Sequence, residues 1–169
     1  MVRQIATFFL GKTLLGIDIL LVKEVYRQMS ITPIPGAPNL LKGLMNLRGR
    51  VVTIIDLNVC LKRQPIQDVS LCRLLILKTE EEIIRFKQHN LIEHVDIGED
   101  IVGLLIDTMD DVIEVKDEDI LSPPSNLGEM DHTLIRGIIK RNDQLVILLN
   151  IVGLLDMVMQ AIDVSNSIN

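Results

Sequence analysis

Short apolar runs recur along this chain, and Gly, Pro and Asn cut them before any reaches the length of an ordinary helix. Such runs bounded by turn formers predict strands. The stretch ATFFLGKTLLGIDI (6–19) shows the unit: Phe8 and Phe9 belong to one strand, GKT is its turn, and LLGIDI is the return strand. Helix signals are few. Ile151, Leu154, Leu155, Val158, Met159 and Ile162 recur at helical spacing after Asn150, a good N-cap, and predict a C-terminal helix with one apolar face. Short helical turns are expected at 20–26 and 39–42, and PIPGAP (33–38) reads as an extended connector.

The pattern repeats within the chain. KGLMNLRGRVVTIIDLNVCL (42–61) aligns without gaps on RGIIKRNDQLVILLNIVGLL (136–155), at an offset of 94 positions. Gly43 falls on Gly137, Val52 on Val146, Asp56 on Asn150 and Leu61 on Leu155. Each copy reads as strand, tight turn, strand, with turns at LRGR and RNDQ. Upstream, GKTLLGIDILLVKEV (11–25) aligns on GEDIVGLLIDTMDDV (98–112) at an offset of 87, placing Gly16 on Gly103 and Val25 on Val112. Two related β modules in the same internal order suggest two small barrels rather than one open parallel sheet. The charged segment 79–100 stands outside the repeat, between strands that a two-residue turn could have joined. It reads as an extended hairpin or solvated excursion with at most one helical stretch, and long insertions are frequent sites of partner contact.

Composition narrows the function. Among 169 residues, 48% are apolar but only 2% aromatic, so the core is built from Ile, Leu, Val and Met. A stacking platform for single-stranded nucleic acid is thereby excluded, and a net charge of −6 leaves no broad basic surface for a phosphate backbone. Cys60 and Cys72 cannot complete a zinc site alone and read as free buried thiols of a reducing compartment. No run approaches the ~20 apolar residues of a membrane span. The N-terminal apolar run ends at Lys12 without a small-x-small cleavage site, so no signal peptide is expected.

Three stretches invite a chemical reading. Residues 6–13 read A-x-x-x-x-G-K-T, a permissive match to a phosphate-binding loop. Such a loop needs small residues and a following helix. Here bulky Thr7, Phe8, Phe9 and Leu10 precede the turn and a strand-like run follows it. The equivalent GED turn, moreover, has acids where Lys12 and Thr13 stand. His89, Glu93 and His94 lack the H-E-x-x-H spacing of a zinc helix, with His132 distant, and read as solvent-facing. DTMDDVIEVKDEDI (107–120) lacks the glycine and ligand spacing of a calcium loop and reads as a strand with an acidic edge. No nucleophile, base and acid are organised by the sequence, and neither a catalytic site nor a cofactor is expected.

Four motifs taken in order resemble one family: GIDILLVKEV, ITPIPGAPNLLKGLMNLRGRVVTIIDL, GLLIDTMDDVIEV and IRGIIKRNDQLVILLNI, and the resemblance runs from about Ile5 to Leu155. The chain is similar to the CheW family of chemotaxis coupling proteins. The resemblance implies an all-β fold of two five-stranded SH3-like barrels around a shared hydrophobic core, with short helices and a C-terminal helix. The corresponding division is 1–68 for the first module, 69–160 for the second with its insertion at 79–100, and 161–169 as a tail, with strand exchange between modules left open. It also implies a non-enzymatic, cytoplasmic adaptor that bridges methyl-accepting chemoreceptor tips to the regulatory domain of the histidine kinase CheA, in flagellar chemotaxis or in a related pathway such as twitching motility. With no receiver domain following, the stand-alone adaptor is expected.

The same resemblance implies a receptor-binding groove at Val22, Glu24, Arg48 and Val112, and a kinase or receptor contact at Gly43. Glu24 and Arg48 would form a partly exposed ion pair on the groove wall, which suits the planar fork of arginine. The chain departs from the family at Thr53, where proline is usual, and at Asn58, where arginine is frequent. Its 79–100 segment is longer than the usual turn by roughly eighteen residues.

Overall fold

The computed structural model describes residues 1–92, 96–128 and 130–168. Eleven strands and three α-helices follow in the order β1 (Val2–Leu10), β2 (Thr13–Asp18), β3 (Val22–Tyr26), β4 (Leu41–Leu47), β5 (Arg50–Asp56), α1 (Leu57–Cys60), β6 (Arg73–Leu77), α2 (Glu80–Gln88), β7 (Ile101–Ile106), β8 (Thr108–Lys116), β9 (Ile120–Leu121), β10 (Ile135–Arg141), β11 (Gln144–Leu149) and α3 (Ile151–Ile168). They build two sheets, ordered β8-β1-β2-β11-β10-β9 and β3-β6-β7-β5-β4.

The sheets are not successive stretches of chain. The first takes a hairpin from the N-terminal part and four strands from the C-terminal part, while the second lies wholly between them. The division at residue 68 therefore does not describe either sheet, because β6 and β7 join β3, β4 and β5. The repeat explains this arrangement. Strand β5 runs parallel to β7 with Ile54 opposite Gly103, and β11 runs parallel to β2 with Leu148 opposite Gly16. These pairs are equivalent under the two sequence offsets. Each module thus lends its β2-type strand to the sheet containing the other module's β4–β5-type hairpin. Apolar residues on both sides of this exchange bury a core shared between the sheets and a separate interior within each.

The two sheets match in detail. The β4–β5 register shifts between Leu41 and Gly43, and the β10–β11 register shifts between Ile135 and Gly137. Asp56 caps α1 by accepting the Asn58 N–H at 3.0 Å, and Asn150 caps α3 by accepting the Gly153 N–H at 3.2 Å. The short β9 pairs Leu121 with Ile138, and its counterpart in the second sheet is the single bridge between Thr32 and Leu44.

Strands β2 and β7 are buried on both faces, which is why they read as continuous apolar runs. Leu104 and Ile106 face a core shared with Phe8, Leu15, Leu75 and Leu154, whereas Leu105 faces the interior of the second sheet with Val52, Ile54 and Leu74. Leu14, Val146 and Leu148 fill the equivalent interior of the first sheet. Each fully buried aliphatic side chain contributes about 1.5–3 kcal/mol relative to exposure. Both cysteines are free and buried, and burial pushes the Cys60 thiol up to about 12.

Several local expectations change. Of 20–26, only Leu20 and Leu21 are helical, within the 3₁₀ turn Ile19–Leu21; the rest is β3. Residues 39–42 turn directly into β4. The C-terminal helix continues through 161–168. The insertion is neither a hairpin nor a solvated excursion alone. Its helix α2 starts at Thr79, whose N–H donates to Glu82 at 3.1 Å, and buries Ile83 with Ile92 and Ile97 against Leu20, Leu21 and Leu155.

Candidate functional site

Strand β3 forms one edge of the second sheet, and the β4–β5 hairpin forms the other. The hairpin turn consists of Arg48 at φ 52° and Gly49 at φ 81°, both in the left-handed region that a two-residue type I′ turn requires. Asn46 steadies it by accepting the Gly49 N–H at 3.0 Å. A left-handed arginine is uncommon, since its Cβ crowds the backbone.

From that turn Arg48 reaches β3. Its Nη2 donates to Glu24 Oε1, and its guanidinium lies 5.7 Å from the centroid of Tyr26, within cation–π range. The Glu24 hydrogen bond, and then its charge, raise the proton affinity of the arginine. The Arg48 side chain remains 64% exposed and Glu24 only 27%. The carboxylate and ring thus hold the cation while leaving most of it open to a partner.

The other sequence-derived residues take distinct places. Val22 is half-buried on β3, opposite Leu77, and packs on the shared core. Val112 lies on β8, an edge of the first sheet, 48% exposed and opposite Ala6. In register, the equivalents are Val25 with Val112 and Val22 with Met109; Val22 and Val25 bracket the bulge in β3 as Met109 and Val112 bracket that in β8. The structure thus joins Glu24 to Arg48, while Val22 and Val112 sit on edge strands of different sheets. Gly43 is buried, and a Cβ there would lie 2.4 Å from the Thr32 carbonyl oxygen. Its hydrogen makes room for the reciprocal Thr32–Leu44 backbone bonds of 2.8 and 2.9 Å.

A second brace was missed in the sequence. Arg141 donates to Asp110 at 2.9 Å and to Asp111 at 2.8 Å, tying the β10–β11 hairpin to β8. Burial pushes the Asp110 carboxyl up, but bonds from Arg141, the Asp111 backbone and Thr7 outweigh it and hold it low. Asp111 is the repeat equivalent of Glu24, so the offset of 87 could have found it; the arginine sits one position before the equivalent of Arg48.

The phosphate-loop match is a hairpin turn. The Gly11 N–H donates to the Asp107 carboxylate at 2.5 Å, Arg63 bonds the Thr13 hydroxyl, and strand β2 follows. His89 donates from Nδ1 to the Arg85 carbonyl at 2.8 Å, and His132 lies exposed in a separate 3₁₀ turn. Glu93 and His94 lie outside the described residues. Among the described residues no helix is long and apolar enough to cross a membrane.

Two exchanged β modules around a shared core, each with a hairpin tip braced to an edge strand, define a double-barrel scaffold. The chain belongs to the family of the CheW-like domain, whose model matches residues 4–159, and thus to the chemotaxis adaptors of two SH3-like subdomains. It is 32% identical over 148 residues to chemotaxis protein CheW of Treponema pallidum (strain Nichols), covering 88% of this chain and 79% of that protein. It is 29% identical to that of Helicobacter pylori (strain ATCC 700392 / 26695), covering 89% and 79%. The solved scaffolding protein TtCheW from Thermoanaerobacter tengcongensis superposes with a TM-score of 0.72 at 27% identity, covering 91% of this chain and 88% of that one.

Proposed function

We propose that this chain is a non-enzymatic cytoplasmic adaptor that couples chemoreceptor tips to the regulatory domain of the histidine kinase CheA. The observation that carries the reading is the Arg48 fork, held by Glu24 and Tyr26 at an exposed turn whose backbone is itself strained. Strain retained at a surface position is a signature of function, since folding alone favours glycine there. A receptor helix would meet Val22, Glu24, Arg48 and Val112, and the strand leaving Gly43 would carry the adjoining contact. One barrel would pair with the similar barrel of the kinase domain. Several modest contacts then give a tight assembly through effective concentration, and small shifts in the shared body alter kinase activity.

Co-elution tests the reading. The full chain, a CheA regulatory domain and a soluble receptor-tip fragment are mixed pairwise and together. The expected result is a complex with each and a ternary peak; separate elution of all three would overturn it.

A further inference from the structure

The long C-terminal helix leaves an open groove of about 330 Å³ on its outer side, where it passes the insertion and the β5–β7 pair. Its floor is apolar. Val102 and Val158 are buried beneath it, and Met159 stands 49% exposed at its lip. The rim is acidic: Asp96 and Asp100 from the end of the insertion and Asp156 from α3 are all exposed. Asp96 accepts the Gly98 N–H at 2.9 Å, and none of the three carboxylates has a Lys or Arg partner among the described residues.

We propose that this groove docks a basic amphipathic helix of a partner protein, a third contact beyond the receptor and the kinase. Three observations select that occupant. A half-exposed methionine over an apolar floor is an adaptable surface for aliphatic side chains. Three unpaired carboxylates around it complement Lys or Arg at the edges of an apolar helix face. The backbone below offers no free edge, because Thr53 pairs with Val102 inside the sheet, so an added strand would find no hydrogen bonds. A helix satisfies its own backbone and needs only the groove. A second copy of this chain fits poorly, since its net charge is −6. The insertion supplies two of the three rim carboxylates, Asp96 and Asp100.

The test uses the full chain and a fluorescein-labelled helical peptide of about 18 residues, with Leu on one face and Lys elsewhere. A second peptide replaces each Leu with Ser. Anisotropy gives affinity, and methionine-methyl NMR reports position. The expected outcome is binding of the Leu/Lys peptide with a shift of the Met159 methyl and none at Met45, which is buried in the other sheet. Asp100→Asn with Asp156→Asn should weaken it about tenfold, whereas Glu114→Gln with Glu118→Gln, an equal charge change elsewhere, should change it less than about twofold. An unmoved Met159 methyl, equal affinity for the Ser peptide, or equal loss in both double variants would overturn the proposal. So would self-association of the chain abolished by Met159→Glu, which would make the occupant a second copy. None of these readouts involves receptor or kinase, so failure here leaves the adaptor reading standing.

Discussion

Arg48 and Glu24 are bonded across the two ends of one sheet: the arginine sits on the tip of the β4–β5 hairpin, and the glutamate on the opposite edge strand β3. Because the order is β3-β6-β7-β5-β4, a direct contact between these residues means that the sheet curls until its two edges meet, and the pair lies at that seam. The cation faces solvent, so its main energetic consequence lies in what it meets rather than in what it holds.

Arg48→Ala should therefore weaken binding to a receptor-tip fragment while leaving the melting temperature nearly unchanged. Calorimetry and a binding titration on the same sample check this. A large fall in melting temperature would make the arginine structural.

Arg48→Gly separates the turn from the side chain. Glycine accepts φ 52° without a Cβ penalty, so thermal stability should hold or rise relative to Arg48→Ala, while receptor binding falls equally. Recovery of binding in the glycine variant would mean that turn geometry, rather than the guanidinium, is read by the partner.

Gly43 and Gly49 should answer differently to alanine. At Gly43 a Cβ meets the Thr32 carbonyl oxygen, a backbone atom that cannot rotate away, and Gly43→Ala should cost about 2–3 kcal/mol in urea unfolding. At Gly49 nothing lies within 4 Å of the added atom and only φ 81° opposes it, so Gly49→Ala should cost about 1 kcal/mol. Equal losses would contradict the close-approach explanation.

The insertion should unfold with the body, since Ile83 is fully buried against residues outside the segment. Ile83→Ala should destabilise by about 2–5 kcal/mol in chemical denaturation. A loss below about 0.5 kcal/mol would return the segment to a solvated excursion.

Acid should loosen the N-terminal strand. The hydrogen bond from Arg3 Nε at 2.5 Å, with its charge, holds the Asp117 carboxyl below its ordinary range. A depressed folded-state pKa stabilises the fold above the unfolded carboxylate pKa, and that stabilisation is lost as pH falls through the folded value. Urea midpoints between about pH 5 and pH 2 should therefore fall less steeply in Asp117→Asn than in the parent. An identical slope would show that this ion pair has no share in acid stability.

How legible this was varies with the physics. The hairpin–helix repeat was readable because Gly43 and Gly137, and Asp56 and Asn150, perform the same backbone tasks in both copies. The exchange of strands was not, because similarity establishes equivalence and not pairing: Gly16 and Gly103 align, yet each sits opposite a strand of the other module. A further correspondence, Thr7 with Ile76, appears only in the register, where both lie opposite those glycines; strands that share nothing but apolarity leave no identities to align. Helix α2 begins at a capping box, Thr79 with Glu82, a local signal that the weak hydrophobic periodicity of the segment does not carry. Of the candidate site, Glu24 and Arg48 were legible through family motifs, while Asp110, Asp111 and Arg141 needed the fold to bring them together.

Kinase coupling tests the central claim most directly. Receptor-bearing membranes and CheA are reconstituted with and without this chain, and CheA phosphorylation is followed as receptor ligand is added. The adaptor account predicts that kinase activity comes under ligand control only when the chain is present, and that Arg48→Ala reduces this control without unfolding the protein. Ligand-insensitive kinase activity in the presence of the intact chain would contradict it.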